Sequence, residues 1–380
     1  MDFNLTEDDL MIQETAADLA AKKIYPNAEK WDEEGKLPQD ILDEMAELGY
    51  FGMLLPEKYD GLELSTVTYN CAMEELSAAC AGLMITISVH NSLCCEAINK
   101  FGSEELKDKY LPNMAAGKII GAYCLTEPNA GTDAASIKTS AVKKGDKYVL
   151  NGTKTFVTNG GLAGVFIVFA VTDPEKGSKG ISCFVVPKDT PGIDIGAPEK
   201  KMGMKASDTR EVSFTDVEID AMNIIGAEGS GFKTAVILLN NGRIGVAFQA
   251  IGIARAAFEE ALKYSKERKQ FGRSLSSFQA IQFKLADMAA KIDAGRLLAF
   301  RAAWMKDNGV NVAKESSMAK LVCSQACNWV VNEAVQIHGG YGYMKEYAVE
   351  RYFRDARVTE IYEGTTEAQK MVISRQLLRD

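Results

Sequence analysis

The 380-residue chain is poor in metal-binding chemistry: it has two histidines, His90 and His338, and no C-x-x-C pair among its eight cysteines. That composition argues against a zinc site. Positive charge is also short, with 43 Lys and Arg against 52 Asp and Glu and a net charge of −9. The balance points away from nucleic acid and from a basic membrane-surface helix, both of which need clustered cations. No stretch approaches the roughly 18 uninterrupted apolar residues of a membrane span. The opening MDFNLTEDDL lacks the basic and apolar regions of a signal peptide. A cytoplasmic protein with reduced thiols is expected, so Cys71, Cys80, Cys94, Cys95, Cys124, Cys183, Cys323 and Cys327 are read as unbridged. Proline is missing from the whole chain after Pro198. That leaves the C-terminal part free to form long helices.

Hydrophobic residues make up 47% of the chain and charged residues 25%, enough for a large core without staples. The first third reads as helices: Leu5 to Tyr25 stopping against Pro26, Gln39 to Leu48 after Pro38, then about 67–88 and 104–117. Pro56, Gly61 and Pro112 mark the connections. The middle third switches to short β-branched runs, Tyr148 to Leu150, Val165 to Val171, Ile181 to Val186 and Val212 to Ile219. With no helix-length segment between them, they predict a small antiparallel sheet or barrel. In the last third Ile281, Leu285, Met288 and Ile292 form one helical face. Helices near 231–266, 277–307 and 313–337 suggest a bundle. The fold class is α+β, mainly α: an N-terminal helical domain over 1–120, a middle β-domain over 121–230 and a C-terminal helical bundle over 231–380.

Several polar clusters stand out. The segment from Tyr123 to Asp133 is rich in hydroxyls and backbone donors, which suit a flavin edge or a phosphate and equally an ordinary polar turn. Alternation along a strand puts Phe156 and Thr158 on one side, where they suit a flat ring or merely a half-buried hairpin. Gln336 to Gly342 is glycine-rich, yet neither it nor Gly160-Gly161 matches G-x-G-x-x-G after a strand, so no Rossmann fold is read. Glu363 lies between Tyr362 and Gly364, where partial desolvation would suit a general base, although taken alone it reads as a surface glutamate. His90, alone among apolar residues, reads as a hydrogen-bonded core residue.

Six motifs in register resemble the acyl-CoA dehydrogenase family over the whole chain, closest to its short-chain, butyryl-CoA-type members. They are Leu125-Thr-Glu-Pro-Asn-Ala-Gly-Thr-Asp133, Asn151-Gly-Thr-Lys-Thr-Phe-Val-Thr-Asn159, Gly242-Arg-Ile-Gly245, Arg268-Lys-Gln-Phe-Gly272, Gln336 to Tyr343, and Ile361-Tyr-Glu-Gly-Thr365. The resemblance implies a C-terminal four-helix bundle, a homotetramer and FAD held partly across a subunit interface. It implies dehydrogenation of a short-chain acyl-CoA to the trans-2-enoyl-CoA: Glu363 takes the α-proton, flavin N5 takes hydride, and an electron-transfer flavoprotein accepts the electrons. The backbone N–H of Glu363 and a ribityl hydroxyl would bind the thioester oxygen. Tyr123, Leu125, Thr126, Gly131, Thr132, Phe156 and Thr158 would surround the flavin. Arg268, Phe271, Gln279, Gln336, Gly339 and Gly340 would reach its adenine or pyrophosphate end, with Thr365 and Glu367 also touching FAD. Thr132, Arg243, Asn91 and Gly364 would contact the acyl-CoA.

Some members place the base just before the residue matching Arg243; here that position is Gly242, which leaves Glu363 as the base. Phe156 stands where tryptophan is frequent and Asn240 where aspartate is. Cys94 and Cys95 would widen the acyl pocket if they face it, so a small branched or alicyclic acyl group, or an acyl-CoA oxidase, stays open as an alternative. The absence of arginine at Asn91 argues against a dicarboxylic substrate.

Overall fold

The computed structural model describes residues 4–378. The outer ends of the first and last expected domains, 1–3 and 379–380, lie outside the described residues. Six helices come first: α1 (Glu7–Leu19), α2 (Tyr25–Glu34), α3 (Gln39–Glu47), α4 (Thr66–Ser88), α5 (Glu96–Phe101) and α6 (Glu104–Ala115). Helix α1 opens on a reciprocal cap between Thr6 and Asp9. The expected stop at Pro26 does not occur. A π-helical turn, Ala20–Ile24, runs straight into α2, with Pro26 in the first turn of α2 and the backbone before it still right-handed helical. Pro112 also lies inside α6 rather than at a connection. The carbonyl it deprives belongs to Asp108, which is exposed to water.

The middle of the chain forms an eight-stranded sheet of order β6-β7-β3-β2-β4-β5-β8, with β1 also pairing β4. Its strands are β1 (Gly121–Cys124), β2 (Ser140–Lys144), β3 (Lys147–Thr158), β4 (Val165–Val171), β5 (Ile181–Pro187), β6 (Ile193–Ile195), β7 (Thr209–Asp220) and β8 (Ile224–Ile225). The sheet is mixed, not wholly antiparallel: β1 runs parallel to β4, and β2 meets β4 in parallel at Ser140 and Val171. A parallel pair needs a long crossover, and the stretch between β1 and β4, which contains the β2–β3 hairpin, supplies it. The unbroken apolar run of β4 follows from burial on both faces. Val165, Ile167 and Phe169 face one core with the N-terminal helices and the start of α7, while Phe166, Val168 and Ala170 face the other inside the sheet.

The proline-free region gives α7 (Gly231–Glu267), a short hairpin of β9 (Lys269–Gln270) and β10 (Arg273–Ser274), α8 (Gln279–Asp307), α9 (Ala313–His338), α10 (Val349–Ala356) and α11 (Thr366–Leu377). Two helical spans, Thr66–Phe101 and Gly231–Glu267, are long and apolar enough to cross a membrane, but both lie largely buried inside the protein. All eight cysteines are buried and unbridged.

His90 ties the helices to the sheet. Its Nδ1 accepts from the Gly121 N–H at 3.0 Å, so the ring proton sits on Nε2, facing the carbonyls of Phe51 and Met114 at 3.1 and 3.2 Å. Burial pulls its pKa down to about 4 from 6.5. Below about 6.5 the unfolded chain takes a proton that the folded chain refuses. This part of the stability is therefore complete above pH 6.5 and is lost as the pH falls toward 4. Denaturant titrations at pH 7 and pH 5 should show wild type losing more stability than His90→Gln; equal losses would remove His90 from this role.

Candidate functional site

The site is organised by one turn. After Arg357–Glu360, Glu363 adopts φ +50° and Gly364 φ +97°, and Thr365 then caps α11 by accepting from the Ala368 N–H. Left-handed backbone is easy for glycine and strained for glutamate, at about 1–3 kcal/mol. The turn is held from outside. Lys320 Nζ donates to the Gly364 carbonyl at 2.8 Å, and Gln369 Nε2 donates to the same oxygen at 2.7 Å and to the Glu363 carbonyl at 3.3 Å. Arg243 Nε reaches the Glu363 carbonyl at 3.5 Å. The Tyr362 hydroxyl donates to Gln249 Oε1.

The carboxylate points at helix α7. A Cβ on Gly242 would lie 1.9 Å from Glu363 Oε2, so the missing side chain at 242 is the space the carboxylate occupies. Oε2 is sealed from water and has no hydrogen-bond partner. Burial raises the pKa of Glu363 to about 7, against the opposing pull of Arg243 and Lys320. The hydroxyl of Tyr123 is likewise buried and unpartnered, and both it and the buried Tyr69 hydroxyl feel the Glu363 charge. The local reading of Glu363 as a surface residue is therefore corrected. An unpaired carboxylate with one oxygen sealed from water and a proton affinity raised toward neutrality is equipped to take a proton from a bound molecule.

A second cluster lies on the sheet. Buried Lys154 donates to Glu127 Oε1 at 2.8 Å and to the Leu125 carbonyl at 3.1 Å, while Glu127 also accepts from the N–H groups of Lys138 and Thr139. The Thr155 N–H bonds the Thr126 carbonyl at 2.9 Å. This clamp fixes Leu125 to Ala130 and leaves Gly131 and Thr132 exposed, with open space at Gly131. Phe156 is 69% exposed at φ +56°, on a bulge between Lys154 and Val157. The bulge breaks the alternation at Lys154 and Thr155, which are both buried; beyond it Val157 is buried and Phe156 and Thr158 are the more open positions on either side of it.

A third cluster sits at the end of α9. Arg268 lies over the Tyr341 ring at 5.4 Å, beside a cavity of about 560 Å³ whose lining includes Tyr264, Leu275, Gly339 and Gly340. Phe271 is 94% exposed at the tip of the β9–β10 hairpin, and Gln279 and Gln336 are exposed nearby in sequence. Among the described residues, no hydrogen bond, ion pair or ring contact joins this cluster to the sheet cluster.

Asn91 is not on an open wall. Its amide donates to the carbonyls of Tyr50 and Ile87 within the core. Cys95 Sγ lies 3.2 Å from His90 Nε2, and Cys94 is packed against Gly121. Glu367 is exposed in the first turn of α11. The sequence reading missed Lys320, Gln369, Gln249 and the Glu127–Lys154 pair. A lysine in the apolar stretch Met318-Ala-Lys-Leu-Val322 was the one signal available for Lys320.

The chain matches the N-terminal, middle and C-terminal domains of acyl-CoA dehydrogenase over residues 6–118, 122–217 and 229–378. The chain belongs to the acyl-CoA dehydrogenase family. It is 46% identical to a short-chain specific acyl-CoA dehydrogenase of Clostridium acetobutylicum over 379 residues, covering 100% of both chains. The structure of butyryl-CoA dehydrogenase from Megasphaera elsdenii is similar at TM-score 0.98 and 47% identity, covering 100% of both chains. A structure described as the electron transferring flavoprotein of Acidaminococcus fermentans is similar at TM-score 0.98 and 49% identity, again covering 100% of both.

Within this acyl-CoA dehydrogenase fold, Gly242 and Glu363 share one volume. Gly242→Ala should displace the carboxylate and lower turnover by about 100-fold, the cost expected of a misplacement near 1 Å. Flavin content and melting temperature should stay near wild type. Turnover within two-fold of wild type would refute the shared-volume reading.

Proposed function

We propose that this acyl-CoA dehydrogenase removes the α- and β-hydrogens of a short-chain acyl-CoA, with Glu363 as general base, to give the trans-2-enoyl-CoA. Family membership makes it a FAD-dependent oxidoreductase acting on acyl-CoA. The finer reading rests on one observation: Glu363 Oε2 is buried, unpaired and set opposite Gly242, with a proton affinity near neutrality. The short-chain assignment is supported by full-length relatives described as short-chain specific.

The residues present fit the cofactor. Phe156 offers an exposed aromatic face beside the open loop at Gly131, and neither Thr126 nor Thr158 spends its hydroxyl on a described protein partner. Those residues, with Tyr123, Leu125 and Thr132, would hold the flavin. Arg268, Phe271, Gln279, Gln336, Gly339 and Gly340 would hold the adenine and pyrophosphate, with Thr365 and Glu367 close by. That no described contact joins the two clusters within one chain fits a homotetramer in which a neighbouring subunit supplies the second set. FAD, when bound, accepts hydride from the β-carbon.

The chain's own residues do the rest. Arg243 and Gly364 would seat the thioester against the turn. Among the described residues the backbone N–H of Glu363 has no protein acceptor, so it is free to bond the thioester oxygen as negative charge develops there. A donor of this kind is worth about 3–4 kcal/mol. An electron-transfer flavoprotein is the acceptor we favour, supported by the similarity to the Acidaminococcus structure. The expected setting is the cytoplasm.

Glu363→Gln should keep flavin absorbance near one FAD per chain and still bind CoA ligands, yet lose dehydrogenation by about 10²–10⁴-fold. Activity near wild type would remove Glu363 from the role. Because the base must be ionised, kcat/KM should rise as pH passes upward through about 7. A profile flat from pH 6 to pH 8 would contradict the assignment.

A further inference from the structure

We propose that Lys320 is a positioning residue for the base: by donating to the Gly364 carbonyl it locks the left-handed Glu363–Gly364 turn and keeps the carboxylate opposite Gly242. The inference rests on the reading of Glu363 as the base.

Lys320 is wholly buried in α9, and among the described residues it forms no ion pair with a carboxylate. Its hydrogen bond goes to the Gly364 carbonyl at 2.8 Å. Burying an ammonium against a single neutral carbonyl is unfavourable, and burial lowers the Lys320 pKa to about 8. A neutral isostere would fill the space without that cost, so the cation calls for a reason tied to the turn it touches.

Three helices deliver donors to two successive carbonyls. Arg243 comes from α7, Lys320 from α9 and Gln369 from α11. Ser317, one turn before Lys320, accepts from Arg243 Nη1 at 3.4 Å, so one face of α9 seats both cations. Tying the Glu363 and Gly364 carbonyls fixes the peptides on both sides of Gly364. Released, a glycine has many conformations open to it, and Glu363 can relax out of its left-handed geometry. The charge acts as well. The ionisable groups around Lys320 are Glu363 and Glu360 from the turn, Arg243 from α7 and Glu367 from α11. Of these, Glu363 is sealed from water at Oε2 and pays most for ionisation, so a cation beside it favours the ionised form.

The test compares Lys320→Met, Lys320→Arg and Gln369→Leu with wild type and Glu363→Gln, in the FAD-loaded enzyme. Lys320→Met should lower kcat about 10- to 100-fold with little change in KM and move the acid limb of kcat/KM to higher pH. Lys320→Arg should return the limb to its wild-type position. Gln369→Leu, a neutral loss from the same clamp, should lower kcat and leave the limb in place. The carboxyl infrared band of Glu363, taken as the difference between each variant and the same variant carrying Glu363→Gln, should titrate at higher pH in Lys320→Met. If Lys320→Met does not fold, Lys320→Gln replaces it as the uncharged variant: wild-type kcat with an unmoved limb overturns the proposal. If it folds, wild-type kcat with an unmoved limb overturns it while Glu363→Gln is inactive. An active Glu363→Gln instead overturns the reading of the base.

Discussion

The structure turns on a half-buried carboxylate, one oxygen of which is kept out of water without a partner. An exposed glutamate near pH 7 is ionised and weakly basic; a fully buried and unpaired one would take up a proton and stay neutral. Glu363 is poised between these states. Burial drives its proton affinity up, and Arg243 and Lys320 bring it back toward neutrality. The balance is available only because Glu363 sits in a left-handed turn that carries it against α7, and that turn in turn needs donors from three helices.

Long helices make such convergence possible. Helix α7 runs unbroken from Gly231 to Glu267, and on one stripe, two turns apart, it carries Gly242, which admits the carboxylate, and Gln249, which accepts from Tyr362. The sheet side is held separately. There Lys154 and Glu127 form a buried pair that secures the loop from Leu125 to Ala130. Burial works to raise the Glu127 carboxyl, but Lys154 and its backbone donors outweigh it and leave it lowered. The acid is thus committed to structure, in contrast to Glu363, whose Oε2 has no donor.

The sequence made the elements legible and the contacts between them much less so. The absence of proline after Pro198 foretold α7, α8 and α9 because helix continuity is a local property. The apolar run of β4 marked a strand buried on both faces, but pairing direction depends on where β1 arrives, so the parallel pair was missed. Pro26 misled because a proline disfavours helix in the residue before it without forbidding it: Ile24 and Tyr25 stay right-handed helical and the π-helical turn carries the chain through. Glu363 was singled out by a family motif rather than by its local chemistry, since the groups packed against its carboxylate include Gly242 and Arg243, more than a hundred positions away. Lys320 and Gln369 were invisible for a different reason: what they bond is backbone oxygen, which no pattern of side chains records. Asn91 shows the converse. A motif placed it at the acyl group; its N–H groups go to the Tyr50 and Ile87 carbonyls, while its Oδ1 is buried without a partner.

The geometry also explains why a glycine at 242 and a glutamate at 363 belong together. The two positions compete for one volume, since even a methyl group at 242 would fall within 1.9 Å of Oε2. A base carried on α7 at 242 would need residue 363 to give that space up, and a base at 363 needs α7 to be bare. Moving a carboxylate from one site to the other therefore requires two changes: a side chain added at 242 alone would put two groups in one space, and one removed at 363 alone would leave that space empty. The absence at Gly242 is as much a part of the site as the carboxylate that fills it.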